Sequence, residues 1–315
     1  MTKKIFVALS SFGECGEEPL NLLKRSGYFY SLNSLGRRLL QKEIIEMGKD
    51  FDGVIAGVEP YDDDVLENLP KLRCISRCGV GVDNISLPKC KEKGIAVRNT
   101  PDAVIQPVAE LTLGLMLDLL KKISYHNALV KSRHWKKETG NLLAGKNVGI
   151  LGLGRIGRRV AEIMLKLDAK VYGADLSPDQ SWAKQKGVKI VSVGELLKVS
   201  DILSIHVSVL TDHPFQLSGK EFSMMRPGAF LVNVSRGKIV VEEALFQALS
   251  SGQLGGAALD VFSQEPYAGG LCDLPNVVLT PHIATLTHES RLQMEIEATK
   301  NLLDFFNPSS KAGRA

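Results

Sequence analysis

One stretch of the chain, residues 148–175, limits the possible folds more than any other. It reads VGILGLGRIGRRVAEIMLKLDAKVYGAD. It opens with a short apolar run typical of a buried parallel strand, and Gly152, Gly154 and Gly157 follow with the spacing Gly-x-Gly-x-x-Gly. Apolar residues then recur at helical intervals, and a second apolar run, residues 170–174, is followed by Asp175. The stretch therefore predicts a strand, a turn, a helix, a second strand and an acid, in that order.

Each part of this unit has a physical reason to bind a dinucleotide. The first glycine lets the chain turn off the strand, the second lets backbone approach a pyrophosphate, and the third lets helix and strand pack closely. The helix N-terminus adds free N–H groups and a partial positive charge. Asp175 suits the ribose hydroxyls and repels a 2′-phosphate, and residues 176–180 contain no Arg or Lys, so NAD is favoured over NADP. The alternative is a glycine-rich turn in another α/β protein.

Length and charge exclude several classes of protein. The 315 residues suffice for two domains, each with its own core. The net charge of +4 is built from mixed signs without long blocks, so we expect no nucleic-acid or membrane partner, whereas an anionic metabolite is compatible. The sequence has no signal-peptide pattern and no apolar run of membrane-spanning length, which predicts a cytoplasmic protein.

The five cysteines form no paired framework, as expected in a reducing compartment. Cys74 and Cys78 have a spacing that also occurs in metal or redox pairs. However, Cys74 lies in a strand-like run and Cys78 begins a glycine-containing loop, so we expect no metal.

The first hundred residues have the βαβ pattern of a small parallel sheet, with apolar runs at residues 5–9, 54–58 and 74–76 and helical stretches at 36–47 and 65–68. The loop RCGVGVDN, residues 77–84, follows a strand directly. Two glycines separated by one residue can turn consecutive N–H groups inward and form a nest for a carboxylate. A tight connection to the next helix, near residues 87–93, is the alternative.

Residues 99–102 are predicted to cross into a second domain, and a helix with Pro107 near its first turn follows. This helix is apolar on nearly every face over residues 109–120, which indicates deep burial or a subunit interface; we favour a homodimer. Later apolar strands are predicted at residues 189–191, 202–207, 230–234, 257–261 and 277–279. Together with the central unit they predict a doubly wound sheet.

Three motifs follow the last strands, at the edge where ligands bind in open α/β sheets: NVSRG (233–237), LDVFSQEP (259–266) and TPHIA (280–284). They bring an arginine, an acid and a histidine to one rim. Arg236 offers a planar fork for carboxylate and carbonyl oxygens, His282 can move a proton, and Glu265 can orient the imidazole. Taken singly, each residue has an ordinary interpretation as a surface ion pair, a turn or a strand end; together they indicate hydride-transfer chemistry.

With these motifs, GLGRIG, VAE at residues 108–110 and GVGVDN, the chain resembles the D-2-hydroxyacid dehydrogenase family over nearly its full length. The resemblance implies an α/β fold with a doubly wound, Rossmann-type cofactor domain, residues 99–285. It also implies a discontinuous flavodoxin-like substrate domain from residues 1–98 and 286–315, and a dimer held by the cofactor domains.

By this resemblance, Arg236, Glu265 and His282 match the catalytic residues, and Val80 and Gly81 match the loop whose amides hold the substrate carboxylate. Arg155 and Ile156 match pyrophosphate contacts, Asp175 the ribose contact and Asp260 the partner of the nicotinamide amide. The full set of implied NAD contacts is Gly152, Gly154, Arg155, Ile156, Gly157, Asp175, Asp260 and, mostly through backbone, Thr100, Val207, Val234 and Ala284.

The loop beginning ISRCGVGVDN resembles that of phosphoglycerate dehydrogenases, in which the arginine matching Arg77 helps to bind the substrate phosphate. This predicts oxidation of 3-phospho-D-glycerate to 3-phosphohydroxypyruvate. Two alternatives stay open: a hydroxypyruvate or glyoxylate reductase of the same family, and an NAD(H)-sensing module with little turnover. In each enzymatic case the partner is a small anionic 2-hydroxy or 2-oxo acid.

Overall fold

The computed structural model describes residues 2–207 and 215–307. These residues divide into two compact units, one formed by residues 2–104 and 286–307 and the other by residues 105–207 and 215–285. Residues 308–315, the end of the third predicted segment, lie outside the described part of the chain.

The described residues form twelve strands and twelve α-helices. The strands are β1 (Lys4–Val7), β2 (Phe29–Leu32), β3 (Gly53–Ala56), β4 (Cys74–Arg77), β5 (Ala96–Arg98), β6 (Asn147–Leu151), β7 (Lys170–Ala174), β8 (Lys189–Ile190), β9 (Ile202–Ile205), β10 (Ala229–Asn233), β11 (Leu254–Leu259) and β12 (Val277–Leu279). The helices are α1 (Glu18–Arg25), α2 (Gln41–Gly48), α3 (Asp63–Glu67), α4 (Leu87–Glu92), α5 (Ile105–Lys121), α6 (Ile123–Lys131), α7 (Arg155–Lys166), α8 (Gln180–Lys186), α9 (Val193–Val199), α10 (Gly219–Met224), α11 (Glu242–Ser250) and α12 (His288–Phe306).

The first unit contains a parallel sheet in the order β2-β1-β3-β4-β5. This is the flavodoxin-like order, as predicted. The central strand β3 is buried along its whole length, which explains why its sequence is a continuous apolar run rather than an alternating one. Helix α12 returns to this unit and packs on β3 and β4, so the end of the chain completes the core.

The second unit contains a seven-stranded parallel sheet in the order β12-β11-β10-β9-β6-β7-β8. Read from the other edge, with β6 numbered 1 and the later strands numbered in chain order, the strand order is 3-2-1-4-5-6-7. This is the doubly wound order 3-2-1-4-5-6 with β12 added at the edge, which confirms the predicted Rossmann-type fold. The strand order reverses between β6 and β9, where the register pairs Leu151 with Ile205. Crevices that receive ligands form beyond the carboxyl ends of the strands at such a switch point.

Several elements of the first unit differ from the sequence-based expectations. The helix expected at residues 36–47 begins only at Gln41, because Asn33 donates from its side-chain amide to the carbonyls of Ala8 and Arg37 and fixes the preceding segment as a loop. Helix α1 and strands β2 and β5 were not predicted. The two strands lie at the edges of the sheet and contain no buried residue, so they lack the apolar run that marks the central strands.

Helix α5 buries seven of its residues within its own unit, where it packs against α7 and β11. Leu113 and Leu117 lie on its other side and are half-buried. None of the helices in the described ranges combines the length and apolar character needed to cross a bilayer.

Candidate active site

The predicted site residues of the second unit all follow carboxyl ends of its strands. The glycines follow β6, Asp175 follows β7 and Val207 follows β9. Val234 and Arg236 follow β10, Asp260 and Glu265 follow β11, and His282 and Ala284 follow β12. Because parallel strands end at one edge of the sheet, the fold brings residues that follow six strands to a common rim.

The three glycines have different physical roles. Gly152 has φ of +95°, in the left-handed region that favours glycine, and a Cβ there would lie 2.6 Å from the His206 carbonyl oxygen. A Cβ on Gly157 would overlap the Gly152 carbonyl oxygen. At Gly154, in contrast, a Cβ would meet no atom of the described residues within 4 Å. Two glycines are thus required by the protein itself, and the space beside Gly154 is free for a ligand.

Asp175 is fixed beside this loop. Its carboxylate accepts the N–H of Leu153 at 2.7 Å through Oδ2 and the N–H of Ser177 at 2.9 Å through Oδ1. Each oxygen retains a further lone pair for a hydroxyl donor. Helix α7 begins at Arg155, so the N–H groups of Arg155 and Ile156, in the first turn of the helix, are at the same loop. We call the loop formed by residues 152–157 the glycine cradle. This open loop and the fixed carboxylate of Asp175 fit a dinucleotide.

Alanine substitutions separate the structural glycine from the ligand-facing one. We expect Gly157→Ala to lower the free energy of unfolding by about 2–4 kcal/mol, since its Cβ overlaps backbone. Gly154→Ala has an allowed φ of −68° and open space, so stability should hold while NADH affinity falls roughly tenfold. Thermal unfolding and NADH fluorescence titration measure the two effects. Unchanged NADH affinity in Gly154→Ala would contradict the cradle.

His282 and Glu265 form an ion-pair geometry, with the histidine Nδ1 2.9 Å from Glu265 Oε2. The other carboxylate oxygen accepts the Phe262 N–H at 3.1 Å, which fixes the orientation of the acid. About half of the His282 side chain is exposed, so Nε2 of the imidazole can reach a small molecule. Glu265 thereby holds the ring and can stabilise its protonated form, as an acid-base catalyst requires.

Asp260 anchors the segment that carries His282. It is fully buried and accepts hydrogen bonds from Thr280 Oγ1 at 2.5 Å, from the Ile283 N–H at 2.8 Å and from the Ala284 N–H at 2.9 Å. These bonds hold His282 at φ of +55°, a left-handed conformation that is unfavourable for most residues. Thr280 was not singled out from the sequence, and contact of the Asp260 carboxylate with a cofactor stays a prediction.

Arg236 stands on a loop that Asn233 organises. The buried Asn233 accepts the N–H and Oγ–H of Ser235 and donates to the Arg236 carbonyl at 3.0 Å. A Cβ on Gly237 would overlap the Phe262 backbone, so only glycine lets the Arg236 loop lie against the loop carrying Glu265. Asn233 had no predicted role. Its buried position inside the NVSRG motif is the signal that identifies it as a positioning residue.

A cavity of about 470 Å³ lies beside this pair of loops. Its lining residues are mainly apolar and include Phe262, Tyr267 and Leu279, with the Glu265 side chain in one wall. The rings of Phe262 and Tyr267 stack with centroids 4.4 Å apart, and this contact stabilises the wall of the cavity.

The first unit holds the remaining predicted residues. Arg77 ends β4, and its guanidinium donates to the Cys78 carbonyl and lies against Gly79. The buried Thr100 exchanges two hydrogen bonds with Gly79, accepting the Gly79 N–H at 2.7 Å and donating its own N–H at 3.0 Å. Val80 and Gly81 follow on the exposed part of the loop. Thr100, predicted as a cofactor contact, thus has a structural role in holding this loop.

The two cysteines of this region are buried, and burial raises the pKa of each thiol, Cys74 and Cys78, to about 12. Both thiols are therefore protonated at neutral pH and poor metal ligands. Within residues 2–207 and 215–307, no group of three or more His, Cys, Asp or Glu side chains is arranged to hold a metal ion.

Comparison with known proteins identifies the family. Residues 113–284 match the model of the D-isomer specific 2-hydroxyacid dehydrogenase NAD-binding domain. A glyoxylate reductase of Thermococcus litoralis is 37% identical over 275 residues, which are 83% of this chain and 82% of that protein. A D-3-phosphoglycerate dehydrogenase of Methanocaldococcus jannaschii is 38% identical over 258 residues, 80% of this chain but 49% of that protein.

A solved structure gives the same result at the level of the fold. The D-lactate dehydrogenase of Aquifex aeolicus, solved with NAD and lactic acid, has a TM-score of 0.87 and 28% identity, and the match covers 98% of this chain and 97% of that one. The family match, the sheet order and the glycine cradle agree. The chain is therefore an NAD-dependent oxidoreductase of the D-isomer-specific 2-hydroxyacid dehydrogenase family.

Proposed function

We propose that the protein reduces a short 2-oxo acid to the D-2-hydroxy acid, and runs the reverse oxidation, with His282 as the acid-base catalyst. The observation that carries this proposal is the 2.9 Å contact of His282 with Glu265, on the same rim as Arg236 and the glycine cradle. NADH held by Arg155, Ile156 and Asp175 would supply the hydride to the carbonyl carbon. His282 delivers the proton to the carbonyl oxygen, and its protonated form is stabilised by Glu265.

The other predicted residues bind rather than transfer protons. Arg236 places a fixed cation by the carbonyl and carboxylate oxygens, which draws electron density from the carbon that receives hydride. Backbone N–H groups of Val80 and Gly81 hold the substrate carboxylate. Arg155, Ile156 and Asp175 hold the cofactor, and Val207, Val234 and Ala284 complete its surroundings.

Two substrates are supported by particular observations. We place glyoxylate or hydroxypyruvate first, because the glyoxylate reductases match over most of their length and the Arg77 guanidinium is engaged by the Cys78 carbonyl. The second is 3-phospho-D-glycerate, for which Arg77 supplies a cation. Arg77 begins the loop of residues 77–84, which we call the carboxylate loop. The relatives named D-3-phosphoglycerate dehydrogenase support it, although the chain spans about half of their length.

Absorbance at 340 nm tests the proposal directly. NADH consumption is compared with glyoxylate, hydroxypyruvate, 3-phosphohydroxypyruvate and pyruvate, and the series is repeated with NADPH. We expect turnover of a short 2-oxo acid with a preference for NADH, since Asp175 repels a 2′-phosphate. Absence of turnover with all four acids would contradict the proposed enzyme and favour an NAD(H)-sensing module.

Reversing the charge of Arg77 tests its predicted phosphate contact. If Arg77 binds phosphate, Arg77→Glu should lower kcat/KM for 3-phosphohydroxypyruvate about 100-fold more than for hydroxypyruvate, since a favourable pair becomes a repulsive one. The two substrates are compared in the same variant, which cancels any distortion of the loop. The matched control is Arg73→Glu, which reverses the charge of an exposed arginine just before the start of β4. Equal losses for the two substrates would exclude a phosphate role.

We also propose a homodimer held by the second unit. Four large apolar side chains in the segment after α5 are exposed: Ile123, Val130, Trp135 and Leu142. The Trp135 side chain is 83% exposed. Such a group of exposed apolar residues marks an interaction surface. The cytoplasmic location stays a prediction from the sequence.

Trp135→Asp should convert the dimer to a monomer, because a large aromatic contact is replaced by a charge that must be desolvated at the interface. Light scattering coupled to size exclusion measures the mass. The control is Leu176→Asp, at an exposed leucine of the same unit. Trp182→Asp is less suitable because the Arg158 guanidinium stacks on the Trp182 ring. A wild-type protein that is monomeric at micromolar concentration would exclude the proposed interface.

A further inference from the structure

Glu59 is a buried acid that the proposed mechanism leaves without a role. It follows β3 at the carboxyl edge of the first sheet, beside β4, whose next residues carry the carboxylate loop. The two strands pair Ala56 with Arg77, and the Cys78 N–H donates to the Ala56 carbonyl at 2.8 Å. The loop containing Glu59 and the loop containing Val80 are therefore neighbours within one unit.

The Glu59 carboxylate has a fixed position. The side chain is 3% exposed, and Oε2 accepts the Gly57 N–H at 2.7 Å. A Cβ on Gly57 would lie 2.9 Å from Oε1, so the absence of a side chain there makes room for the acid. Asn84 donates from its side-chain amide to the carbonyls of Glu59 at 2.6 Å and Gly57 at 3.2 Å. Asn84 thereby ties the acid to the end of the 77–84 loop.

Charged side chains of both signs lie around the start of this loop. Cys78, at its start, has its pKa raised mainly by burial; Arg291 and Arg77 act on the thiol as positive charges, and Glu295 and Glu59 as negative ones. Arg291 and Glu295 are an ion pair at 3.0 Å. Arg77 and Glu59 thus act on the same thiol with opposite sign. The Gly57 N–H fixes the position of the Glu59 carboxylate beside the start of this loop.

We infer that Glu59 sets substrate specificity: it disfavours 2-oxo acids that carry a second negative charge and leaves unphosphorylated monoanions unaffected. This inference rests on the proposed 2-oxo acid reductase activity. The substrate carboxylate is held by backbone N–H groups, whereas a phosphate near the same loop is repelled by Glu59. Burial makes that repulsion stronger than it is in water, because the local dielectric is low.

The test uses Glu59→Gln in the full-length protein. Glutamine has nearly the same shape and can still accept the Gly57 N–H, so the fold is preserved while the charge is removed. The measured quantity is the ratio of kcat/KM for 3-phosphohydroxypyruvate to kcat/KM for hydroxypyruvate. We expect this ratio to rise about tenfold in Glu59→Gln, the order of magnitude of one removed charge acting on a dianion. Glu92→Gln, an exposed change in the same unit, is the matched control.

Each possible result either supports or overturns the proposed specificity role of Glu59. A ratio that rises in Glu59→Gln and not in Glu92→Gln, with KM for hydroxypyruvate unchanged, supports the inference. A ratio that stays within twofold of the wild-type value overturns it while the proposed function stands. A wild-type protein that prefers the phosphorylated acid also overturns it. If the wild type reduces neither acid, the proposed function fails, and the specificity role of Glu59 fails with it.

Discussion

Replacing His282 with alanine is expected to lower turnover by about 100-fold or more while NADH affinity stays nearly unchanged. The loss corresponds to about 2.7 kcal/mol of transition-state stabilisation, the low end of what a positioned acid-base group provides. NADH affinity should hold because the glycine cradle and Asp175 belong to other strand ends. Steady-state kinetics and fluorescence titration separate the two quantities.

The control for this variant is His134→Ala, an exposed histidine of the same unit, which should retain wild-type turnover. Glu265→Gln provides a second test, because glutamine keeps the size of the acid but cannot stabilise a protonated ring. Its turnover should fall less than that of His282→Ala. Wild-type turnover in His282→Ala would exclude proton transfer by this residue.

Replacing Arg236 with lysine is expected to lower kcat/KM by roughly 100-fold, even though the positive charge is kept. A guanidinium forms two parallel hydrogen bonds with oxygens of the substrate, and an ammonium cannot reproduce that planar fork. The loop should survive the change, since Asn233 bonds the Arg236 carbonyl, which lysine keeps. The measurement is kcat and KM for the preferred 2-oxo acid, with thermal unfolding of the same sample.

Arg226→Lys is the matched control for this second variant. Arg226 is exposed and paired with Asp201 on the same unit, so its replacement should change neither rate nor stability appreciably. A fall in kcat/KM confined to Arg236→Lys supports bidentate binding. Equal kinetics in both variants would show that Arg236 contributes no specific substrate contact.

The sequence determined the fold of this protein to a large extent. The continuous apolar runs of the central strands predicted parallel sheets, and the Gly-x-Gly-x-x-Gly unit with Asp175 predicted a strand-turn-helix-strand unit, because these patterns follow from local geometry and burial. The elements that it did not predict carry weak local signals. Strand β2 has no buried residue, and the start of α2 is decided by the distant contact of Asn33 with Ala8.

Only the tertiary structure decided which side chains meet. Glu265 and His282 are 17 positions apart and become partners because β11 and β12 end at the same edge. The burial of Asp260 under the His282 segment, the contact of Gly237 with Phe262 and the clamp of Glu59 on Gly57 are likewise consequences of how loops pack. Sequence periodicity reports the environment of a residue along its own element, whereas these contacts depend on distances between elements, which only the folded chain fixes.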